Sequence, residues 1–575
     1  MNKLLKYLNN YKKECVLAPL FKMLEAIFEL IVPLVISYMI DSGIKGGDAH
    51  IILRSFLMLI LLGTTGLIVS CTAQFFAAKA ATGFSKELRH DIFGHILSFG
   101  FREIDNVGTS TMITRATSDV NILQNGVNMF LRLFLRSPFI VAGACVMAFT
   151  IDVKCALIFV LVIIALGITV TVITKTNIPL LLSVQKKLDD VLCLVRENLS
   201  GARVVRAFTL EEKQVEDFED TNRTLTLSQL KAGRVSGLLN PLTYVLVNLA
   251  IVLLIHAGGV QKEKGILTTG QIVALYNYMS QILLELIKFA NLIVTLNRSL
   301  ASAQRVNSLF EITPSMIQRS DKDATVSEDA EYAVEFENVS LKYHEAADEA
   351  VSDISFKIKK GSSFGIIGPT GSGKSTIASL AARFYDATRG IVKIGGKDVK
   401  DLDMSSLREH VGIVMQKAVL FEGTIRDNLK WGNPNASDEE LLEAAKAAVC
   451  LEVIEGKGGL DATVEAGGRN FSGGQRQRLS IARVLAKKPK ILILDDSSSA
   501  LDYMTDKTLR DNVSSLPYDP TVIIISQRTV SVKGCDNILV LDDGQCEGLG
   551  DHDQLIGSCE VYKEIDQADP TQEAV

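Results

Sequence analysis

Nine residues, Gly368, Pro369, Thr370, Gly371, Ser372, Gly373, Lys374, Ser375 and Thr376, spell GPTGSGKST. Their spacing is G-x-x-x-x-G-K-S. Glycines let backbone N–H groups curl around phosphate oxygens. A helix opening at Lys374 adds its positive end, the Lys374 ammonium reaches the β- and γ-phosphates, and the Ser375 hydroxyl ligates Mg2+. A short apolar run, FGIIG, precedes the loop and an apolar helical run, STIASLAARFY, follows it. The chemistry requires that strand–loop–helix setting, which a chance match in a loop would lack. ATP and Mg2+ are the implied ligands.

A second constellation is ILILDDSSSALD, Ile491 to Asp502, which reads as a buried strand ending in two acids and then a polar loop. Asp495 suits the carboxylate that holds Mg2+ through water. A third, NFSGGQRQR from Asn470 to Arg478, precedes the helical run LSIARVLAKK. Ser472, Gly473, Gly474 and Gln475 would set a hydroxyl and bare N–H groups at a helix start, a second anion site. One nucleotide does not need two such cradles from one chain. The natural use of the second is to close over ATP held by another domain.

The elements that carry these motifs differ sharply from the rest of the chain. Hydrophobic residues make up 47% of the 575 and mean hydropathy is +0.24, too apolar for an ordinary soluble enzyme. The apolar excess lies in the first ~300 residues, which predicts a membrane half and a soluble half. Before Ala333 there are 32 Lys and Arg against 28 Asp and Glu; from Ala333 on, 28 against 38. Neither balance implies nucleic acid as a partner, and a mildly basic membrane half fits contact with anionic lipid heads. The nine cysteines are odd in number and scattered with no CxxC pair, which favours reduced thiols over disulfides or a metal site. The start, MNKLLKYLNNYKKE, reads as a short interfacial helix rather than a signal peptide.

Hydropathy alone gives three to six membrane helices. Ser55–Ala78, Cys155–Thr174 and Val235–Val260 are uncharged and reach the ~20 residues that a bilayer needs. Val16–Ile40, Pro138–Ile151 and Thr269–Leu296 are weaker, because they contain or adjoin Lys22, Glu25, Glu29, Arg132, Arg136, Glu285 and Lys288. Segments 79–136 and 175–234 are long, polar, helix-patterned and rich in Lys and Arg, so the positive-inside tendency puts them in the cytoplasm. That gives six helices with both termini inside. Lys22, Glu25 and Glu29 share one helix face; they either pair internally or line a polar path, and Glu285 is open in the same way. Residues 312–333 read as a linker between a membrane domain, 1–311, and a nucleotide domain, 334–575. A multi-pass protein of a prokaryotic plasma membrane with a cytoplasmic nucleotide domain is the expected placement.

Taken in order, these motifs resemble the ABC exporter family, and the chain resembles an exporter-type half-transporter over essentially its whole length. The resemblance implies a six-helix transmembrane domain joined to an α/β P-loop ABC ATPase domain, with ATP-driven transport of amphipathic compounds, drugs or lipids. It assigns adenine stacking to Tyr343, the Q-loop role near Mg2+ to Gln416, the signature to Ser472–Gln475 and the D-loop to Asp502. VGTSTMITRATSDV (Val107 to Val120) and ENLSGARVVRAF (Glu197 to Phe208) resemble the loops that carry coupling helices.

Two positions depart from the family pattern. Asp496 stands where the general base is usually Glu, and Gln527, in IIISQR, where the switch residue is usually His. Asp is one methylene shorter, and a misplacement of about 1 Å can cost ~100-fold in rate. Gln can hydrogen-bond a γ-phosphate but lacks the cationic form open to His. A small backbone shift could still let Asp496 work. The paired departure resembles the degenerate chain of heterodimeric exporters, which implies a second, non-identical half-transporter as partner. A homodimeric lipid or peptide exporter and a catalytically weak regulatory subunit are the alternatives. Trp431, the only tryptophan, lies shortly after Gln416 in NLKWGNP, where it is expected to sense movement of that loop.

Overall fold

The computed structural model describes residues 2–316, 325–327, 329–343 and 348–568. The chain forms two compact units, Met1–Leu97 with Ser110–Ile312, and Ser98–Thr109 with Thr313–Val575.

The first unit holds six long apolar helices: α1 Lys6–Ile44, α2 Ala49–Leu97, α3 Thr109–Ile151, α4 Val153–Ser200, α5 Glu211–Glu263 and α6 Thr269–Phe310. The three weak spans therefore form along with the three strong ones. At 1.5 Å per residue the 49-residue α2 is about 73 Å long, more than twice the ~30 Å hydrocarbon layer. The polar segments 79–136 and 175–234 are largely continuations of the spans. Ala18, Ala77 and Ala80 are fully buried where α1 meets α2, since small side chains let helix backbones approach closely. A larger core gathers Leu30, Ala144, Phe159, Leu254 and Tyr278, and the Tyr278 hydroxyl donates to the Leu30 carbonyl at 2.6 Å. Many other large apolar side chains, such as Leu61, Leu67, Ile68 and Leu161, are exposed on the helices, as lipid-facing residues must be.

The weak spans hold because their charges pair with one another. Lys22 Nζ donates to Glu25 Oε2 at 2.6 Å and to Ser70 Oγ at 3.0 Å. Glu29 turns instead to Arg136, whose Nη2 donates to both of its carboxylate oxygens at 2.8 Å. Arg136 Nη1 donates to Glu285 Oε1 at 2.7 Å, and Glu285 also accepts from Lys288 (2.8 Å) and from Ser137 Oγ (2.8 Å). Arg136 is the hub that joins α1, α3 and α6. In the sequence it only precedes the short apolar run Pro138–Ile151.

In the second unit a mostly parallel sheet carries the motifs. Its strands are β1 Ser363–Ile367, β2 Val411–Val414, β3 Ile491–Asp495, β4 Thr521–Ser526, β5 Asn537–Asp542 and β6 Gln545–Gly550. They lie in the order β6-β5-β1-β4-β3-β2, all parallel except β6. A separate antiparallel sheet is built from Tyr332–Leu341, Val351–Lys359, Arg389–Ile394 and Lys397–Asp398. Its inward residues Phe336 and Phe356 stack at 4.5 Å and share a core with Phe364 and Ile366 of β1. The first strand begins at Tyr332, so the last two residues of the expected linker are already strand; 317–324 and 328 of that linker lie outside the described residues.

The short helix Phe101–Val107 belongs to this second unit. Phe101 stacks on Phe384 with centroids 4.4 Å apart, and the Tyr385 hydroxyl donates to Asp105. The first cytoplasmic turn is thus Phe101–Val107 rather than Val107–Val120, which starts the returning helix. Gly100 and Gly108 bracket it, and Gly108 adopts φ +76°, a conformation that stops a helix cheaply only at glycine. In the second cytoplasmic loop, Ala202–Ala207 is helical with no buried residue.

Deleting one member of a buried ion pair costs about 3–5 kcal/mol, because the other is left charged and unpaired. Arg136→Leu strands the buried Glu285 and is expected to lower the thermal midpoint and the yield of monodisperse protein in detergent severely. Lys288→Ala removes a half-exposed partner of the same carboxylate, where ion pairs contribute ~0–1 kcal/mol, and is expected to be mild. Equal losses would remove Arg136 from its central place.

Candidate nucleotide site

The candidate site lies along the carboxyl ends of adjacent parallel strands, where open α/β sheets gather ligand-binding loops. β1 feeds the loop Gly368–Gly373, which ends at helix α7, Lys374–Ala381. β2 leads into Met415 and Gln416, β3 ends at Asp495 and is followed by Asp496, and β4 leads into Gln527. Gly373 has φ +92°, and a Cβ there would stand 2.6 Å from the Ala350 carbonyl oxygen, so both backbone conformation and space demand glycine.

Lys374 is buried, and its ammonium donates to the carbonyls of Gly368 (2.8 Å) and Pro369 (2.6 Å). Burial pulls its pKa below the ordinary lysine value, against the opposing charges of Asp496 and Asp495. Ser375 Oγ donates to Asp495 Oδ1 at 2.9 Å. This hydroxyl and carboxylate are hard oxygen donors side by side, a set that fits Mg2+. Asp495 and Asp496 are both raised above the usual carboxylate range by burial. Each is pulled part of the way back, Asp495 by its bond to Ser375 and Asp496 by its bond to Gln416.

Asp496 has φ +45°, in the left-handed region, and its N–H donates to the Ile525 carbonyl of β4 at 3.0 Å. Gln416 Nε2 donates to Asp496 Oδ2 at 3.1 Å. Gln527 Oε1 accepts from Thr370 Oγ1 at 3.3 Å, so the side chain lies against the phosphate-binding loop. Arg528, which the motifs do not mark, places positive charge near Asp496.

Tyr343 OH lies 3.2 Å from Thr376 Oγ1, and its ring meets Tyr385 edge-on at 5.0 Å. Burial raises the Tyr343 hydroxyl pKa. Together with Phe384, Lys342 and Arg102 these rings line a cavity of about 440 Å³. Phe384 and Tyr385 escape motif reading because only folding brings the end of the P-loop helix run back to Tyr343.

Ser472–Gln475 stand apart from this group. Ser472 caps helix α8, Gly473–Leu485, by accepting from Gln475 N at 3.3 Å, while the Gln475 side chain accepts from Ser472 N at 3.0 Å. Among the described residues, no hydrogen bond joins these four to the phosphate-binding loop or to Asp495 and Asp496. Asp502 caps helix α9, Tyr503–Ser514.

Family models match both halves: the ABC transporter transmembrane region over residues 15–286 and the ABC transporter family over 351–499. The ABC transporter ATP-binding protein YfiB of Bacillus subtilis is 34% identical over 98% of each chain. This chain belongs to the ABC transporter family. It is similar to the ATP-dependent lipid A-core flippase of Desulfotalea psychrophila, at 32% identity over 82% of each chain. A bacterial Atm1-family ABC exporter solved with ATP bound matches with a TM-score of 0.79 and 25% identity over 96% of this chain and 97% of that one. The chain is an exporter-type ABC half-transporter, a multi-pass integral membrane protein with a cytoplasmic nucleotide domain. Its ABC ATPase domain implies ATP binding, with Mg2+ the usual companion ion.

Trp431 is 63% exposed and stacks on Phe421 at 4.3 Å, with planes 6° apart. It lines a groove with Phe384, Ile413 and Lys487. An exposed, stacked indole next to the strand that leads to Gln416 is well placed to report change. Its emission is expected to shift when ATP–Mg2+ is added to the assembled transporter, and a flat signal at saturating ATP would show that this groove keeps its surroundings.

Proposed function

We propose that this chain is one half of a heterodimeric, ATP-driven exporter of amphipathic compounds, drugs or lipids. The observation that carries the asymmetry is the pair of residues beside the phosphate-binding loop. Asp496, tied to Gln416, holds the position of the general base, and Gln527, bonded to Thr370, holds that of the switch histidine. In this reading Lys374, Ser375 and Asp495 build a site that holds ATP and Mg2+ and turns over slowly. Tyr343 stacks on the adenine. Ser472, Gly473, Gly474 and Gln475 complete the competent site of the partner, and their separation from this chain's own loop supports that use.

Two further features support a partner. Val204 and Phe208, four residues apart at the second cytoplasmic turn, are 58% and 72% exposed, an apolar pair that a partner's nucleotide domain would cover. The first turn, Phe101–Val107, groups with the nucleotide unit through Phe101 and Asp105, a route by which closure of two nucleotide domains would move the helices. The lipid A-core flippase relative supports a lipid-like substrate.

Two lesions in this chain test the assignment. A side chain at Gly473 would meet no atom within 4 Å, so Gly473→Glu spares the fold and acts on whatever approaches from outside. With wild-type partner it is expected to abolish most ATPase activity, since loss of transition-state donors costs ~100–1000-fold. Lys374→Ala weakens ATP binding at the slow site and should leave clearly more turnover. If Gly473→Glu proves the milder lesion, the asymmetric assignment is wrong.

Asp496→Glu combined with Gln527→His restores base reach and the switch group. Turnover at this site, measured with the partner's general base disabled, is expected to rise. The left-handed backbone at 496 suits Asp better than Glu, which will limit the gain. An unchanged rate would mean that base geometry is not the defect, and full ATPase from this chain alone as a homodimer would favour the homodimeric exporter.

A further inference from the structure

The charge network of the membrane unit encloses a cavity of about 470 Å³, lined by Lys22, Glu25, Glu29, Arg132, Arg136 and Lys288. That volume lies within the ~300–1,000 Å³ range of drug-sized sites. A network that served only to hold helices together would close on itself, and this one does not. Every acid in it is paired: Glu25 with Lys22, Glu29 with Arg136, and Glu285 with Arg136, Lys288 and Ser137. The cations number four against these three acids. The surplus cation is Arg132, whose buried Nε has no hydrogen-bond partner among the described residues.

A second donor is orphaned beside it. Arg136 is only 6% exposed, its Nη atoms are committed to Glu29 and Glu285, and its Nε also lacks an acceptor. Arg132 and Arg136 stand on either side of the short break at residues 134–135 of α3, and both line the cavity. A buried N–H without an acceptor is costly, and an anionic oxygen that meets both would recover that cost. Met129 and Leu133, on the same helix, give the cavity an apolar wall, while Ser70 and Gln74 offer neutral polar contacts opposite in chemistry.

The geometry points to this cavity as a binding site for an amphiphile with an oxyanion head group, a phosphate or carboxylate, with Arg132 as its principal anchor. The inference rests on the exporter reading above and narrows its substrate class. It assigns the surplus positive charge to the head group and the Met129–Leu133 wall to the first part of the tail. Lys288 and Glu29, at 47% and 41% side-chain exposure, lie where the network opens. Cationic amphiphiles are disfavoured because each acid already has its cation.

The test uses the transporter purified with its native partner in nanodiscs, without nucleotide, so that failure here leaves ATP-driven export standing. Binding is measured for 1-oleoyl lysophosphatidate, for oleate, for an oleoyl chain with a quaternary ammonium head, and for inorganic phosphate. The two anionic amphiphiles are expected to bind at least tenfold more tightly than the ammonium probe, and inorganic phosphate should not displace them at equal concentration. Arg132→Gln breaks no ion pair and should keep the thermal midpoint. It is expected to weaken the anionic probes at least tenfold and leave the ammonium probe unchanged, with Arg132→Lys falling between. The larger loss, on lysophosphatidate or on oleate, separates a phosphate from a carboxylate head. Equal binding of the ammonium probe, wild-type affinity in Arg132→Gln, or displacement by inorganic phosphate alone would each overturn the assignment.

Discussion

A parallel strand ends with backbone groups that its neighbours do not pair, and the nucleotide unit sets five such ends in a row. Residues that must meet a phosphate chain can then come from distant parts of the sequence without long loops. β1 supplies the cradle, β3 the two acids, β2 Gln416 and β4 Gln527. The same edge concentrates charge in partly buried surroundings, which is why Lys374 is pulled down and Asp495 and Asp496 are pushed up. Burial disfavours the charged form of each, and in the proposed site phosphate oxygens would offset this for Lys374 and the metal ion for Asp495.

The membrane unit solves a related problem with the opposite economy. Charge in hydrocarbon is tolerated only when it faces a partner or a wet cavity. Arg136 meets the first condition with three carboxylates around it, while Arg132 meets only the second. The ion network also ties α1, α3 and α6, so the helices that carry the cavity cannot move independently of its charges.

Legibility in the sequence followed contiguity. The phosphate-binding loop, the acids after β3 and the cap at Ser472 are short runs whose chemistry depends on neighbours in the chain, and they read off directly. The strong spans were legible for the same reason. For the weak ones hydropathy alone was not enough and the connections had to decide; Lys22 pairs with Glu25 within one helix, as the sequence allows, whereas Arg136 reaches Glu29 and Glu285 over a hundred positions away, which no local reading shows. Nothing in the sequence around Arg136 marks it as a hub. The first cytoplasmic turn, FREIDNV, lies just ahead of Val107–Val120: the polar run after Gly108 resembles a loop in sequence, while the turn itself is held by Phe101 on Phe384. Tyr385 and Arg528 carry no motif and were found only through their neighbours.

The backbone at Asp496 bears on why this position departs from the usual glutamate. A left-handed φ of +45° follows directly on β3, and the residue's N–H is spent on β4. Among side chains with a carboxylate, Asp tolerates this region best. One account is therefore local, with Asp kept because the chain turns sharply here. It does not explain Gln527, which sits at the end of a different strand with no left-handed strain. Two separate strand ends carry Asp496 and Gln527 where the family pattern has Glu and His, while Gly373, Lys374, Ser375 and Asp495 keep the types and contacts that phosphate and metal binding would need. The slow site proposed above, holding its nucleotide while another turns over, would account for that division.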